Sequence, residues 1–215
     1  MDKIERYFDY IEMFPEFFSQ NHSLRIITDR KVIEEYALNN NTDIGVIHEN
    51  KYFAIVADLL ETESGNRYAS TRIINRNGYN GVVAVPVYNE KIVLLEQFRH
   101  GTRKMEMELP RGFSDPGLTP EESAVKEIFE EIGGKISNIE SCGSIISDSG
   151  LTGGEVHVFI CNIESIGNLS REEGIKGYKL LSIAEIEELI YKGIIKDSFT
   201  ISAISKFRIY QKMRG

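Results

Sequence analysis

The chain has 215 residues, 41% of them hydrophobic, enough to fill the core of one substantial domain with a smaller extension. Its formal charge of −8 argues against a general nucleic-acid binder. No apolar run approaches the ~18 residues of a membrane span, and Met-Asp-Lys-Ile-Glu lacks the charged-then-apolar pattern expected of a signal segment. Two cysteines in apolar surroundings, Cys142 and Cys161, predict a reduced, cytoplasmic protein, and the four scattered histidines have no zinc-type spacing.

Residues 1–45 are helix-leaning and aromatic, with Tyr7, Phe8, Tyr10, Phe14, Phe17 and Phe18; Pro15 separates two short helices. Such a cluster is most often a packed appendage, with a dimer contact or a lid as alternatives. Residues 46–80 are strand-rich: Lys51–Leu60 and Tyr68–Asn75 carry Val, Ile, Thr and Tyr, with turn residues at 63–66 and 75–78. Residues 81–215 form the remaining domain. It opens with a strand at Gly81–Tyr88, a tight turn at Asn89-Glu90 and a return strand at Lys91–Phe98.

Thr119, Pro120 and Glu122 then mark a helix start: a hydroxyl N-cap, proline at the first helical position and a capping-box glutamate. At roughly 100° per residue, Glu127, Glu130 and Glu131 fall within one arc, beside a stripe of Ala124, Val125, Ile128, Phe129 and Ile132. The like charges of Glu127 and Glu131 oppose an isolated helix by a few tenths of a kcal/mol. A divalent cation with a taste for hard oxygen ligands, such as Mg²⁺, reverses that repulsion. The plain alternative is a solvated acidic face, since Glu122–Lys126 and Lys126–Glu130 make ordinary i,i+4 pairs. Downstream, strands are predicted at Ser141–Ser147, Glu155–Ile163 and Leu180–Ser182. A helix follows at Ile183–Lys192, and a last one opens at Asp197 and runs to Met213, with Ile201, Ile204, Ile209 and Tyr210 spaced to pack on a sheet.

The run Glu108-Leu-Pro-Arg-Gly112, a Gly117 loop and Lys126-Glu-Ile-Phe-Glu-Glu-Ile-Gly133 resembles the signature of the Nudix hydrolases. Gly112, Glu127, Ile128, Glu130, Glu131 and Gly133 match in register. Leu118 stands where the family has its first glutamate, Lys126 where it has arginine, and Gly134 where it has an apolar residue. The first two departures concern one pair: in the family that glutamate and arginine grip each other, and here the partner carboxylate is missing while lysine lacks the planar fork. Ile92-Val-Leu-Leu-Glu-Gln-Phe-Arg99 is similar to the ADP-ribose pyrophosphatase branch, and the similarity runs over roughly 50–213.

That resemblance implies an α/β/α sandwich with a mixed sheet between helices, preceded by a strand-rich extension and a short helical N-terminal segment. It implies a homodimer built largely through the extension, acting on a nucleoside diphosphate sugar. Glu127 and Glu131 would be metal ligands, Glu130 a ligand or orienter, and the backbone carbonyl of Arg111 would complete the set around Mg²⁺ (Mn²⁺ as alternative). Glu155, after the glycine-rich loop of Gly150, Gly153 and Gly154, would be the general base; the loop glycines would let it close on substrate. The alternative is that Glu155 simply begins an exposed strand. Arg99 and Arg72 would contact phosphate or ribose, an ordinary ion pair being the alternative for Arg72. Glu108 would face the substrate or brace the loop before Pro110. Ser149 occupies the place where the ADP-ribose branch typically carries proline, so GDP-mannose and other nucleotide sugars stay open beside ADP-ribose. A worn box that binds a nucleotide without cleaving it is the non-enzymatic alternative.

Overall fold

The computed structural model describes residues 2–76, 81–115, 117–170 and 173–214. The chain forms two compact units, Met1–Gly78 with Asp148–Gly154, and Tyr79–Ser147 with Glu155–Gly215.

In the first unit, helix α1 (Lys3–Met13) is capped by Asp2, and a 3-10 turn spans Pro15–Phe18, so Pro15 does divide two short helical pieces. Strand β1 (Leu24–Ile26), helix α2 (Arg30–Asn40) and strands β2 (Gly45–Glu49), β3 (Phe53–Thr62) and β4 (Arg67–Asn75) follow. β3 pairs antiparallel with β1, β2 and β4. The expected turn at 75–78 lies partly outside the described residues. Tyr7, Tyr10, Phe18, Ile33, Val56, Leu59 and Ile74 share one core, so the aromatic helices are built into this sheet.

A buried carboxylate must be paired and hydrogen-bonded to be tolerated. Asp58, 3% exposed, accepts from Tyr7 Oη at 2.6 Å and Arg72 Nε at 2.6 Å, while Arg72 Nη1 donates to the Phe17 carbonyl at 2.5 Å. Glu49 similarly takes Arg6 Nε at 2.8 Å and Tyr10 Oη at 2.8 Å.

The second unit holds β5 (Gly81–Tyr88), β6 (Lys91–Arg99), β7 (Lys104–Glu108), β8 (Arg111–Phe113), α3 (Pro120–Ile132), β9 (Lys135–Ile146), β10 (Glu155–Ser165), β11 (Ile175–Leu181), α4 (Ile183–Tyr191) and α5 (Ser198–Arg214). Asn89 and Glu90 take φ of 49° and 64°, the left-handed pair that a two-residue hairpin between β5 and β6 needs. The sheet runs β11-β6-β5-β10-β9, with β7 on β6 and β8 on β5; β5 and β10 are parallel and the other pairs antiparallel, so the sheet is mixed.

Alternation along the central strands fills both faces. Val83, Val85, Ile92, Leu94, Val158 and Ile160 pack against Ile186 of α4 and Ala203, Ile204 and Phe207 of α5. Val82, Ala84, Val93, Leu95, Phe159 and Cys161 face Ala124, Ile128 and Ile132 of α3. Helices on both faces of a mixed sheet make the expected α/β/α sandwich.

Four local expectations change. β9 begins at Lys135 instead of Ser141, and β11 begins at Ile175 instead of Leu180, because a bulge between Ile175 and Gly177 masks its alternation. On α3, Val125 is 41% and Phe129 69% exposed, so the buried stripe is narrower than the apolar one. Ile209 of α5 is 59% exposed and does not pack on the sheet. Among the described residues no helix is long and apolar enough to cross a membrane.

Candidate active site

The site begins with α3. Thr119 Oγ1 accepts from the Glu122 amide at 3.2 Å and Glu122 Oε2 accepts from the Thr119 amide at 2.8 Å, closing the capping box. Gly133, at φ 59°, ends the helix. With the start fixed, the 100° step places Glu131 between Glu127 and the Ala124–Ile128 ridge, so one acidic side chain is carried into the apolar arc. Glu131 is 0% exposed, and among the described residues no N–H donor reaches its two buried carboxylate oxygens. Burial first, then repulsion from Glu127 and Glu173, together with a side-chain hydrogen bond to Glu173, pushes its carboxyl up to about 9. Glu127 is pushed up to about 7, again by burial first and then by Glu173 and Glu130.

Gly112, in β8, forms the floor under Glu127. A Cβ there would lie 2.0 Å from Glu127 Oε1 and 2.4 Å from Cδ, so only glycine lets the carboxylate rest on the strand. Its neighbour Arg111, the expected carbonyl donor, pairs with Val83 of β5. Glu130 is half-exposed, with its carboxylate 3.2 Å from Lys126 Nζ and its charge bearing on Glu127.

Among the described residues, no three His, Cys, Asp or Glu side chains already converge as a metal cage. The chemistry of Glu127 and Glu131 nonetheless fits a cation. Two carboxylates share a low-dielectric pocket, and among the described residues one of them meets no N–H donor; a hard divalent ion satisfies both deficits at once.

Lys126 is not left without the carboxylate that Leu118 fails to supply. Its ammonium reaches Asp115 Oδ2 at 2.5 Å, from the loop itself, while Leu118 is 39% exposed. The expectation of a missing partner is therefore corrected: the pair is rebuilt with lysine and a carboxylate three positions earlier in the chain.

Glu108, 1% exposed, is gripped by Arg99 Nε on one oxygen and by Arg111 Nη2 on the other at 3.1 Å. Arg111 also lies 3.5 Å from Asp197 Oδ1 and stacks over Phe199. Thr200 Oγ1 donates to Asp197 Oδ2 at 2.8 Å and accepts from the Leu109 amide at 3.0 Å, pinning the start of α5 to the strand before the box. Arg99, Arg111, Glu106, Lys196 and Asp197 line a cavity of about 370 Å³. Arg99 also bears on Glu131, lowering its pKa against the burial effect.

The remaining expected residues lie as follows. Arg72 belongs to the first unit and is held by Asp58. Glu155 starts β10, exposed, and accepts from Ser144 Oγ at 2.6 Å. The loop before it is folded on itself, with Gly150 N donating to Asp148 Oδ1 at 3.0 Å and Thr152 N to the Asp148 carbonyl at 2.8 Å; Ile73 N of β4 donates to the Leu151 carbonyl at 2.8 Å. The structure thus brings Glu127, Glu131, Arg99, Glu108 and Arg111 into one unit, together with one residue absent from the expectations. Glu173, in the turn before β11, carries a carboxylate whose charge bears on both Glu127 and Glu131. An acidic pair before Gly174 was its only sequence signal, and nothing in the spacing from α3 tells that the chain returns there.

Comparison with known proteins gives these likenesses. A family model described as NUDIX domain matches residues 78–200. A methanol dehydrogenase activator of Bacillus methanolicus is 26% identical over 158 residues, covering 72% of this chain and 85% of that protein. An ADP-ribose pyrophosphatase of Bacillus subtilis (strain 168) is 30% identical over 102 residues, 46% of this chain; the chain spans about half of that relative's length, 54%. A crystal structure of an ADP compounds hydrolase superposes with a TM-score of 0.70, covering 80% of this chain and 94% of its own at 19% identity, a likeness of fold.

Proposed function

Because the chain belongs to the Nudix hydrolase family, with the family's domain over residues 78–200, we propose that it hydrolyses the diphosphate linkage of a nucleoside diphosphate sugar with Mg²⁺ (or Mn²⁺). ADP-ribose, giving AMP and ribose 5-phosphate, is the first candidate substrate, and GDP-mannose or another nucleotide sugar the next. The observation that carries the reading is the fully buried carboxylate of Glu131 beside Glu127 and Glu173, with no N–H donor on it among the described residues. So costly an arrangement is relieved when a cation completes it. Names of the relatives support the substrate class: an ADP-ribose pyrophosphatase and an ADP compounds hydrolase.

Glu127 and Glu131, with Glu130 and the Arg111 carbonyl, would hold the ion. When bound, a divalent ion supplies positive charge against the phosphate oxygens and lowers the pKa of water. The chain's own groups do the rest. Glu173 takes the proton from the attacking water, whose oxygen bonds to one phosphorus while the bridging P–O bond breaks toward the other phosphate. Arg99, braced by Glu108, offers its remaining guanidinium donors to the phosphates. Glu155 stands second as the base, since its carboxylate already accepts from Ser144. Arg72 stands second as a substrate contact, since its guanidinium is held by Asp58. We place the protein in the cytoplasm as a homodimer through its strand-rich extension, with no nucleic-acid or membrane partner.

A second reading rests on the relative that covers most of this chain, whose name makes it an activator of a dehydrogenase. In that reading a partner enzyme is the target, with or without hydrolysis. The discriminating experiment is phosphate-coupled turnover of ADP-ribose, GDP-mannose and other nucleotide sugars, with Mg²⁺, Mn²⁺ or EDTA. Metal-dependent turnover of one substrate well above the rest sustains the hydrolase. Metal-dependent binding without turnover of any would leave the partner-directed reading.

A further inference from the structure

Gln97 is an unusual residue for its position. It sits in β6 on the face that carries Val93 and Leu95, packs toward the α3 side of the sheet and is 2% exposed. A leucine would satisfy that environment. The amide instead donates from Nε2 to the backbone carbonyl of Glu173 at 2.9 Å. Among the described residues its own Oε1 is buried with no hydrogen-bond partner, so the amide is not kept there to close a hydrogen-bond pattern. The next residue of β6 repeats the grip: Phe98 N donates to the Gly174 carbonyl at 3.0 Å. Gly174 has φ of +75°, and a Cβ on it would lie 3.1 Å from the Phe98 carbonyl, so the turn is drawn tightly onto β6. Glu173, whose charge bears on Glu127 and Glu131, thus stands on a turn clamped at consecutive carbonyls, one of them by a buried side chain.

We propose that Gln97 is a positioning residue for the reaction: it fixes the backbone of residue 173 so that the Glu173 carboxylate is presented to Glu127 and Glu131. The inference rests on the reading of Glu173 as the water-activating base. Other residues of β6 build the sheet; Gln97 sets where the base stands. Its effect is specific to the orientation of one carboxylate and leaves Glu127, Glu131 and the apolar packing untouched.

The test is a double-mutant cycle with Glu173→Gln and Gln97→Leu, the latter keeping the packing while removing the donor. Glu173→Gln is expected to lower kcat by about 100-fold or more, the range for a general base. Gln97→Leu is expected to lower kcat by about tenfold or more, with KM within about twofold, and to add nothing in the Glu173→Gln background. Mn²⁺ affinity followed by spin resonance should stay within about twofold and Tm should not fall, while backbone amides of residues 174–176 exchange faster with solvent. Additive losses, unchanged kcat, or a kcat loss that tracks a fall in Tm would overturn the positioning role. Full activity of Glu173→Gln would instead overturn the base reading, and the proposal with it, whatever Gln97→Leu does.

Discussion

The carboxylate of Glu127 rests directly on the backbone of Gly112, so closely that a Cβ at position 112 would fall 2.0 Å from Glu127 Oε1. The clash would be with the end of a flexible side chain and not with backbone, so the strand need not move. Gly112→Ala is therefore expected to fold, with a Tm within a few degrees of wild type, while pushing Glu127 out of the pocket it shares with Glu131. Turnover should fall by about 100-fold or more, since misplacing a reacting group by 1 Å costs on that order. Calorimetry beside steady-state kinetics checks both halves, and a Gly112→Ala enzyme of normal kcat would show that Glu127 does not need this floor.

A second prediction concerns pH in the metal-free protein. The carboxyls of Glu127 and Glu131 sit at about 7 and about 9 when folded, against an ordinary 4.5. Both folded values are raised, so the folded state keeps protons that the unfolded chain releases above about pH 4.5. Stability must then fall as pH climbs from about 5 through 7 toward 9. In chelator, Tm should decline across that window, and Glu131→Gln should flatten the decline and raise Tm at pH 8. Adding Mg²⁺ should restore wild type at pH 8 and do much less for Glu131→Gln. A metal-free wild type whose Tm is level from pH 5 to 9 would mean that burial does not make the Glu131 carboxyl keep its proton in the folded state.

Why the first half of this site was legible and the rest was not follows from where the information lies. Thr119, Pro120, Glu122 and Gly133 act on their own neighbours, so the start, end and rotation of α3 can be read locally, and with them the shared arc of Glu127 and Glu131. That arc does not say which part of it is buried, and so Val125 and Phe129, apolar by type, are exposed. Asp115 and Glu173 are different in kind. Each meets α3 only because the chain turns back on it, Asp115 across the loop and Glu173 after two further strands. Nothing in the spacing of the sequence encodes those returns. The sandwich itself was accessible because β5 and β6 are apolar on both faces, whereas the bulge after Ile175 hid most of β11.

The pair of Lys126 and Asp115 gives a third prediction. The two side chains are 41% and 47% exposed, so the bridge itself should contribute little to stability, about 0–1 kcal/mol. Its use is to hold the loop ahead of α3 against the helix that carries the carboxylates. Asp115→Ala should leave Tm within about 2 °C yet lower kcat several-fold. Restoring a family-like pair, with Leu118→Glu and Lys126→Arg together in the Asp115→Ala background, should recover turnover, because arginine grips a carboxylate through two parallel bonds. Equal activity of Asp115→Ala and wild type would reduce the bridge to a surface feature.

Glu108 decides between bracing and substrate contact. It is 1% exposed and its two oxygens are divided between Arg99 and Arg111, whose side chains are 26% and 25% exposed. Removing the carboxylate leaves two partly buried guanidiniums facing each other, with Asp197 as the remaining counter-charge near Arg111. Breaking such a pair from one side costs about 3–5 kcal/mol when it is buried, and these arginines are exposed enough to recover part of that from water. Glu108→Gln should consequently lower the denaturation midpoint clearly, while Arg99→Lys, which keeps the charge but loses the fork, should be milder on stability and harder on turnover. If Glu108 touched substrate instead, Glu108→Gln would keep its midpoint and raise KM. The burial of both oxygens against arginine donors favours the first outcome, and urea melts beside steady-state kinetics on the two variants would distinguish them.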